Sequence, residues 1–251
     1  MKKLVRTFTM VTGVFLGISL ISAQENVTVV TPASEAAEGL DLEAVGTLFK
    51  DSKNLEEFEK SLNDPKTGIN NLDLDNDSEV DFIRVVEEVA DDTHVIVLQV
   101  PLGKDEFQDV ATIEVEKAGE EDYNLQVHGS EVVYGVNYYL APVRVRIHAW
   151  PIIAYIYRPA YRPYRSAFTF GTYPRWWKPF RPVAVKAYHA RTVKFRGGTF
   201  AITKTARVTS ITRVKYHPRT STLVKKKTTI TRTKAGKQKK VTKTNVKKRG
   251  N

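Results

Sequence analysis

Residues 82–127 read FIRVVEEVADDTHVIVLQVPLGKDEFQDVATIEVEKAGEEDYNLQV. Four β-rich runs stand in this stretch: Phe82–Val89, His94–Leu102, Val110–Lys117 and Tyr123–Val127. Turn signals separate them at Asp91-Asp92, Gly103-Lys104-Asp105 and Gly119-Glu120. Connections this short favour an antiparallel meander. The second run, VIVLQV, is apolar on both faces, which places it inside the sheet.

Upstream the period changes. Leu42, Val45, Leu48 and Phe49 recur at helical spacing behind Asp41 as N-cap. A second short helix follows Asn54, with Glu57 three residues on as in a capping box, and shows Leu55, Phe58 and Leu62 on one side. Pro65 and Gly68 end it. Two short helices packed on a β-meander make an α+β domain, expected over residues 41–136. Residues 24–40, rich in Ser, Thr, Ala and Glu, read as a flexible leader.

Residues 1–23 read as a secretory signal peptide. Lys2, Lys3 and Arg6 precede an apolar run from Phe8 to Ile21, and Ser22-Ala23 forms a small-residue cleavage context. The expected localisation is therefore export, to the periplasm, the outer surface or the exterior. The chain has no cysteine, so disulfides and a lipidated cysteine after the signal are both excluded. No transmembrane helix is expected after signal cleavage: the best later candidate, Ile147–Tyr157, contains Pro151 and falls well short of the roughly 20 apolar residues a span requires.

All 28 acidic residues precede position 132. Residues 24–131 carry 7 basic against 28 acidic side chains, a net −21, whereas residues 132–251 carry 29 Lys and Arg and no acid. So complete a split points to two segments with different partners, or to segments that partner each other.

Between the helices and the sheet stand Asp73, Asp75, Asp77, Glu79 and Asp81 at alternate positions. Calcium takes six to eight hard oxygens, and alternate carboxylates in a tight loop are one way to supply them. Asp73, Asp75 and Asp77 would give side-chain oxygens, Glu79 its backbone carbonyl, and Asp81 a direct or water-mediated contact. The same pattern also describes a solvated Asp-rich turn that binds no metal. The loop resembles the DxDxDGxxD calcium loops of EF-hand, dockerin and FG-GAP proteins over these nine residues. Ser78 stands where those loops have glycine, and Arg84 where an EF-hand has its bidentate Glu. The expectation is thus a loop that runs into a strand and binds calcium modestly.

Residues 137–218 form a basic, aromatic, proline-rich segment. It holds the triplets Tyr157-Arg158-Pro159, Tyr161-Arg162-Pro163, Trp177-Lys178-Pro179 and Phe180-Arg181-Pro182. Repeated prolines favour extended segments over a long helix. Two readings remain open. Tyr157, Tyr161, Trp176 and Trp177 form a stacking surface while Arg158, Arg162, Arg165, Arg175, Lys178 and Arg181 meet anionic groups; or the rings pack over the acidic domain and the arginines meet its carboxylates. Val183–Tyr216 alternates apolar with basic or Thr residues around Gly197-Gly198, consistent with a hairpin or two edge strands. Residues 219–251 hold 13 Lys and Arg, among them Lys225, Lys226, Lys227, Lys239 and Lys240, and no aromatic ring; a disordered tail is expected. The five histidines show no HExxH or zinc spacing, and no GxSxG occurs.

The runs NLDLDNDSEVDFIRVVEE (71–88) and HVIVLQVPLGKDEFQDVATIEVEK (94–117), with YRPAYRPYR (157–165) and YPRWWKP (173–179), resemble a family of exported bacterial proteins. That family shares a carboxylate loop, the strand pair after it and a Tyr/Trp/Pro/Arg-rich segment. The resemblance covers residues 40–182 and implies a location rather than an activity. The functional expectation is a non-enzymatic envelope or secreted protein, its acidic domain braced by calcium. Its basic half binds anionic polysaccharide or lipopolysaccharide, or its own acidic domain in cis or in trans. The alternative is an extracellular nucleic-acid binder with a histone-like tail, because counterion release drives both kinds of contact.

Overall fold

A computed structural model describes residues 35–143, 145–222, 224–232 and 238–246. The expected signal peptide, and the leader up to residue 34, lie outside these. The rest of the leader is built into the fold: Glu35–Gly39 forms a 3-10 turn, and Leu40, fully buried, bridges Asn70.

Helix α1 (Leu42–Asp51) starts where Asp41 accepts hydrogen bonds from the N–H groups of Glu43 and Ala44. Helix α2 (Leu55–Leu62) starts at Asn54, whose side chain accepts from Glu57 N at 2.8 Å while Glu57 reaches back to Lys53 N. Both expected apolar stripes are buried, and Phe49 meets Phe58 edge-on at 5.5 Å between the two helices.

The meander is present as strands β1 (Arg84–Ala90), β2 (Thr93–Gly103), β3 (Glu106–Lys117) and β4 (Tyr123–Gly129). Asp91 and Asp105 take positive φ at the first two hairpins, a conformation the short Asp side chain tolerates. Strand β2 lies between β1 and β3 and is buried along its whole length. The sheet is not confined to the acidic half. After a short helix α3 (Glu131–Tyr134), strands β5 (Tyr139–Pro142) and β6 (Phe200–Thr203) extend it to six antiparallel strands in sequence order. The expected edge at residues 136–137 thus falls inside the sheet.

One sheet face packs Ile96, Leu98, Val100, Ile113 and Val127 against α1, α2 and helix α4 (Pro151–Ile156), which buries Ile152, Ile153 and Ile156. That helix is the apolar stretch weighed above as too short to span a membrane. No helix among the described residues is long and apolar enough to do so.

The opposite face carries a second small cluster, Val86, Val95, Val97 and Val214. Residues 207–222 cover it as a strap. Arg207 N and Val208 N donate to Gln126 Oε1, the Ser210 and Thr93 hydroxyls meet at 2.7 Å, and Tyr216 OH and Arg219 N donate to Asp109 Oδ2.

Two expectations for the basic half are corrected. Val185–Thr192 is helix α5, not a strand, and Gly197-Gly198 leads into the lone strand β6. The helix is set by distant anchors: Tyr188, buried, accepts from Asp41 N and donates to Ile69 O, both at 2.7 Å. The tail expected to be disordered from residue 219 belongs to the strap as far as Thr222, whose N–H donates to Glu106 Oε1 at 2.8 Å; beyond it the backbone of strand β7 (Val224–Arg232) pairs antiparallel with that of strand β8 (Gln238–Val246).

Gly46 shows how closely the halves meet. A Cβ there would lie 2.7 Å from Cζ of Phe200 on β6. On an open helix Gly→Ala gains up to about 1 kcal/mol. Here Gly46→Ala is expected to lose about 1–3 kcal/mol instead, because the ring has to move out of a packed core. Urea unfolding of the two proteins reads the sign directly.

Candidate functional site

The loop between α2 and β1 is pinned by Leu72, Leu74 and Val80, all buried, so its carboxylates are forced together on the other side. Asn76 and Ser78 both adopt positive φ, 58° and 73°. Ser78 therefore does occupy a glycine-like position. The Asp73 carboxylate accepts from Asp77 N and Ser78 N, both at 3.1 Å, and Asp77 accepts from Glu79 N at 2.8 Å.

Carboxylate oxygens of Asp73, Asp75 and Asp77 lie within 4.8 Å of one another, a set of hard oxygens suited to a divalent cation. Asp75 is buried, Asp73 half-buried and Asp77 exposed. The other two expected members add no carboxylate to this set, Glu79 being expected to contribute only its backbone carbonyl. Asp81 turns its Oδ2 to Leu74 N, and the Glu79 side chain is exposed. Burial, together with the charges of Asp75, Asp73 and Asp77, pushes the Asp81 carboxyl well up, against the Leu74 N–H, which lowers it.

The basic half clasps this loop. Phe82, the first residue after it, is buried in a cage of Trp177 (5.3 Å), Phe168 (5.6 Å), Tyr173 (5.7 Å) and Trp176 (6.3 Å). Val80 N donates to Phe180 O at 2.7 Å. Asn71 and Val183 exchange two hydrogen bonds, at 2.8 and 3.0 Å. The loop and the aromatic segment are thus one packed unit.

Three of the four expected stacking rings are used internally. Tyr157 lies against His94 at 4.5 Å and donates to Asp92 O at 2.9 Å. Tyr161 donates to Glu87 Oε2, and Trp177 is buried. Trp176 alone of the four is open, at 44 % exposure, with Lys60 Nζ 5.9 Å from its ring centre. Comparison with protein-family models, with curated proteins and with solved structures gives no match in any of the three. The reading therefore rests on the chain's own chemistry.

The expected cations divide in the same way. Arg165 pairs with Glu88 at 2.5 Å, and Arg158 lies 3.8 Å from the centre of the Tyr155 ring. Arg158, Arg162, Arg175, Lys178 and Arg181 are exposed and make no ion pair among the described residues. Lys225, Lys226, Lys227, Lys239 and Lys240 fall on β7 and β8, and their side chains lie outside the described part.

Several residues that hold the site carry no motif. Asn63, fully buried, brackets Ile83 by donating to its carbonyl (2.7 Å) and accepting its N–H (2.8 Å), which fixes the exit of the loop. Glu59 accepts from Val85 N at 2.6 Å and from Tyr164 OH at 3.3 Å. Burial raises its carboxyl from 4.5 to about 7.

Between those pH values the folded chain keeps a proton that the unfolded chain has released. The stability gained from the neutral carboxyl is therefore complete below pH 4.5 and is lost as pH rises to about 7. Glu59→Gln is expected to remove this slope and to be the more stable protein at pH 8, by on the order of 2–3 kcal/mol. Urea midpoints of both proteins at pH 5 and pH 8 check it.

Proposed function

We propose that the chain is a non-enzymatic exported protein of the cell envelope or exterior. Calcium braces its 73–81 loop, and its exposed cations bind anionic surface polymers such as acidic polysaccharide or lipopolysaccharide. The observation that carries this reading is the clasp. The segment bearing Arg175, Lys178 and Arg181 is fastened to the carboxylate loop through Phe82, Val80 and Asn71. A cation that relieves repulsion among Asp73, Asp75 and Asp77 would also steady the basic surface. Export rests on the Lys2–Ala23 pattern of the sequence.

Partnering in cis is part of the same reading. Arg165–Glu88 and Arg196–Asp41 join basic and acidic halves, which leaves the unpaired exposed cations for an external polyanion. Exposed charges act over a screening length of about 8 Å at physiological salt, so binding should weaken steeply as salt rises.

The test is a chain carrying Arg158, Arg162, Arg175, Lys178 and Arg181 all changed to Ser, titrated onto immobilised lipopolysaccharide at several salt concentrations. An affinity at least tenfold weaker with a shallower salt slope is expected. Equal affinity and slope would defeat the adhesive role. Tighter binding of the unmodified chain to duplex DNA than to lipopolysaccharide would favour an extracellular nucleic-acid binder.

A further inference from the structure

On the face of the sheet opposite the helices, a cavity of about 190 Å3 opens beneath the strap. Arg84, Arg165, Lys215 and Arg219 line it, with Glu88 and Asp109 as the only carboxylates. Four cations against two carboxylates leave two positive charges uncompensated. Glu88 is taken by Arg165, and Asp109 already accepts from Gln99 Nε2, Tyr216 OH and Arg219 N.

Arg84 is fixed by its surroundings, whereas Arg165, Lys215 and Arg219 are exposed at the mouth of the cavity. The guanidinium groups of Arg84 and Arg219 lie 4.6 and 5.0 Å from the centre of the Phe107 ring, and Arg84 Nη1 donates to Phe168 O at 3.1 Å. Arg84 is only 8 % exposed, and no carboxylate lies within 4.0 Å of it among the described residues. Burial, together with the charges of Arg219 and Arg165, lowers its pKa. A buried cation with so little compensation is costly unless an anion joins it.

Two polar atoms of the lining residues sharpen the ligand. Arg84 Nε and Gln99 Oε1 are both buried without a hydrogen-bond partner. The first is a donor and the second an acceptor. The amide of Gln99 cannot be turned round to donate from the other end, because its Nε2 donates to Asp109 Oδ1 at 2.6 Å and a carboxylate only accepts. A ligand that met both atoms as well as the surrounding cations would be anionic, rich in acceptor oxygens, and able to donate one hydrogen. Hydrogenphosphate meets all three demands. Sulfate and carboxylates at neutral pH lack the hydrogen and would leave Gln99 Oε1 unpaired.

We propose that this cavity binds a protonated phosphate group, with Arg84, Arg165, Lys215 and Arg219 donating to its oxygens and Gln99 Oε1 accepting the P–O–H hydrogen. Planar guanidinium groups suit such oxygens because they donate in pairs. The site goes beyond the adhesive role above and needs no polymer.

Isothermal titration of the full chain with inorganic phosphate at pH 7, in low salt and without added calcium, tests it. Saturable binding is expected, at least tenfold weaker for Lys215→Gln and for Arg219→Gln and unchanged for Arg162→Gln, an exposed arginine outside the cavity. Circular dichroism confirms that each variant is folded. Sulfate is expected to bind at least tenfold more weakly than phosphate. Absence of phosphate binding, an equal loss in Arg162→Gln, or sulfate binding as tight as phosphate would each overturn the proposal. Methyl phosphate titrated at pH 5, where it keeps one P–O–H hydrogen, separates the sources: binding equal to that of phosphate at the same pH supports a phosphomonoester end group, and much weaker binding supports free phosphate.

Discussion

Phe82→Ala is expected to destabilise the protein by about 3–5 kcal/mol, the usual cost of emptying a buried aromatic site. The loss has a second part that a generic core mutation lacks. Phe82 is the hub on which Phe168, Tyr173, Trp176 and Trp177 converge, so its removal also unfastens the basic segment from the sheet. Tryptophan emission should shift to the red and become more open to acrylamide before global unfolding begins. Phe49→Ala is the control: it empties a comparable site in the helix pair, away from the clasp, and should cost similar stability without the early tryptophan signal. Similar tryptophan behaviour in the two variants would mean that Phe82 is an ordinary core residue.

The second large effect concerns the carboxylate loop. If the loop binds calcium, a concentration 100 times the dissociation constant stabilises the fold by about 2.7 kcal/mol. For a chain of this size that raises Tm by about 5–10 °C. Asp75→Asn should abolish the rise, because the buried member of the three-oxygen set loses its charge. In chelator the same substitution should leave Tm equal or higher, since a repulsive charge has gone. This crossing of the two proteins between chelator and calcium is hard to obtain from a structural defect alone. An unmodified chain whose melting is indifferent to calcium would make the loop a bare Asp-rich turn.

The meander was legible because β-rich runs and Asp turns are local signals, and both helix caps lie where Asp41 and Asn54 stand. The carboxylate loop was legible for the same reason, down to the glycine-like position of Ser78. What escaped depends on contacts between residues far apart in the chain. Helix α5 buries only Tyr188 and Thr192, too little to print a helical stripe, and is held by Tyr188 reaching Asp41 and Ile69. Strands β5 and β6, four residues each, are too short to alternate recognisably, yet they carry the sheet across the charge boundary. The Phe82 cage joins rings about 90 positions downstream to a residue that reads only as the start of a strand. The cavity beneath the strap likewise gathers Arg84, Arg165 and Arg219 from three separate stretches.

On the proposed function, calcium in the loop steadies the basic aromatic segment clasped to it. Amide hydrogen exchange of the full chain in chelator and in millimolar calcium tests this directly. Slower exchange in calcium is expected at residues 72–82 and, with it, at residues 168–183, including the Trp177 and Val183 amides. Slowing confined to the loop, or no slowing at either segment, would contradict it.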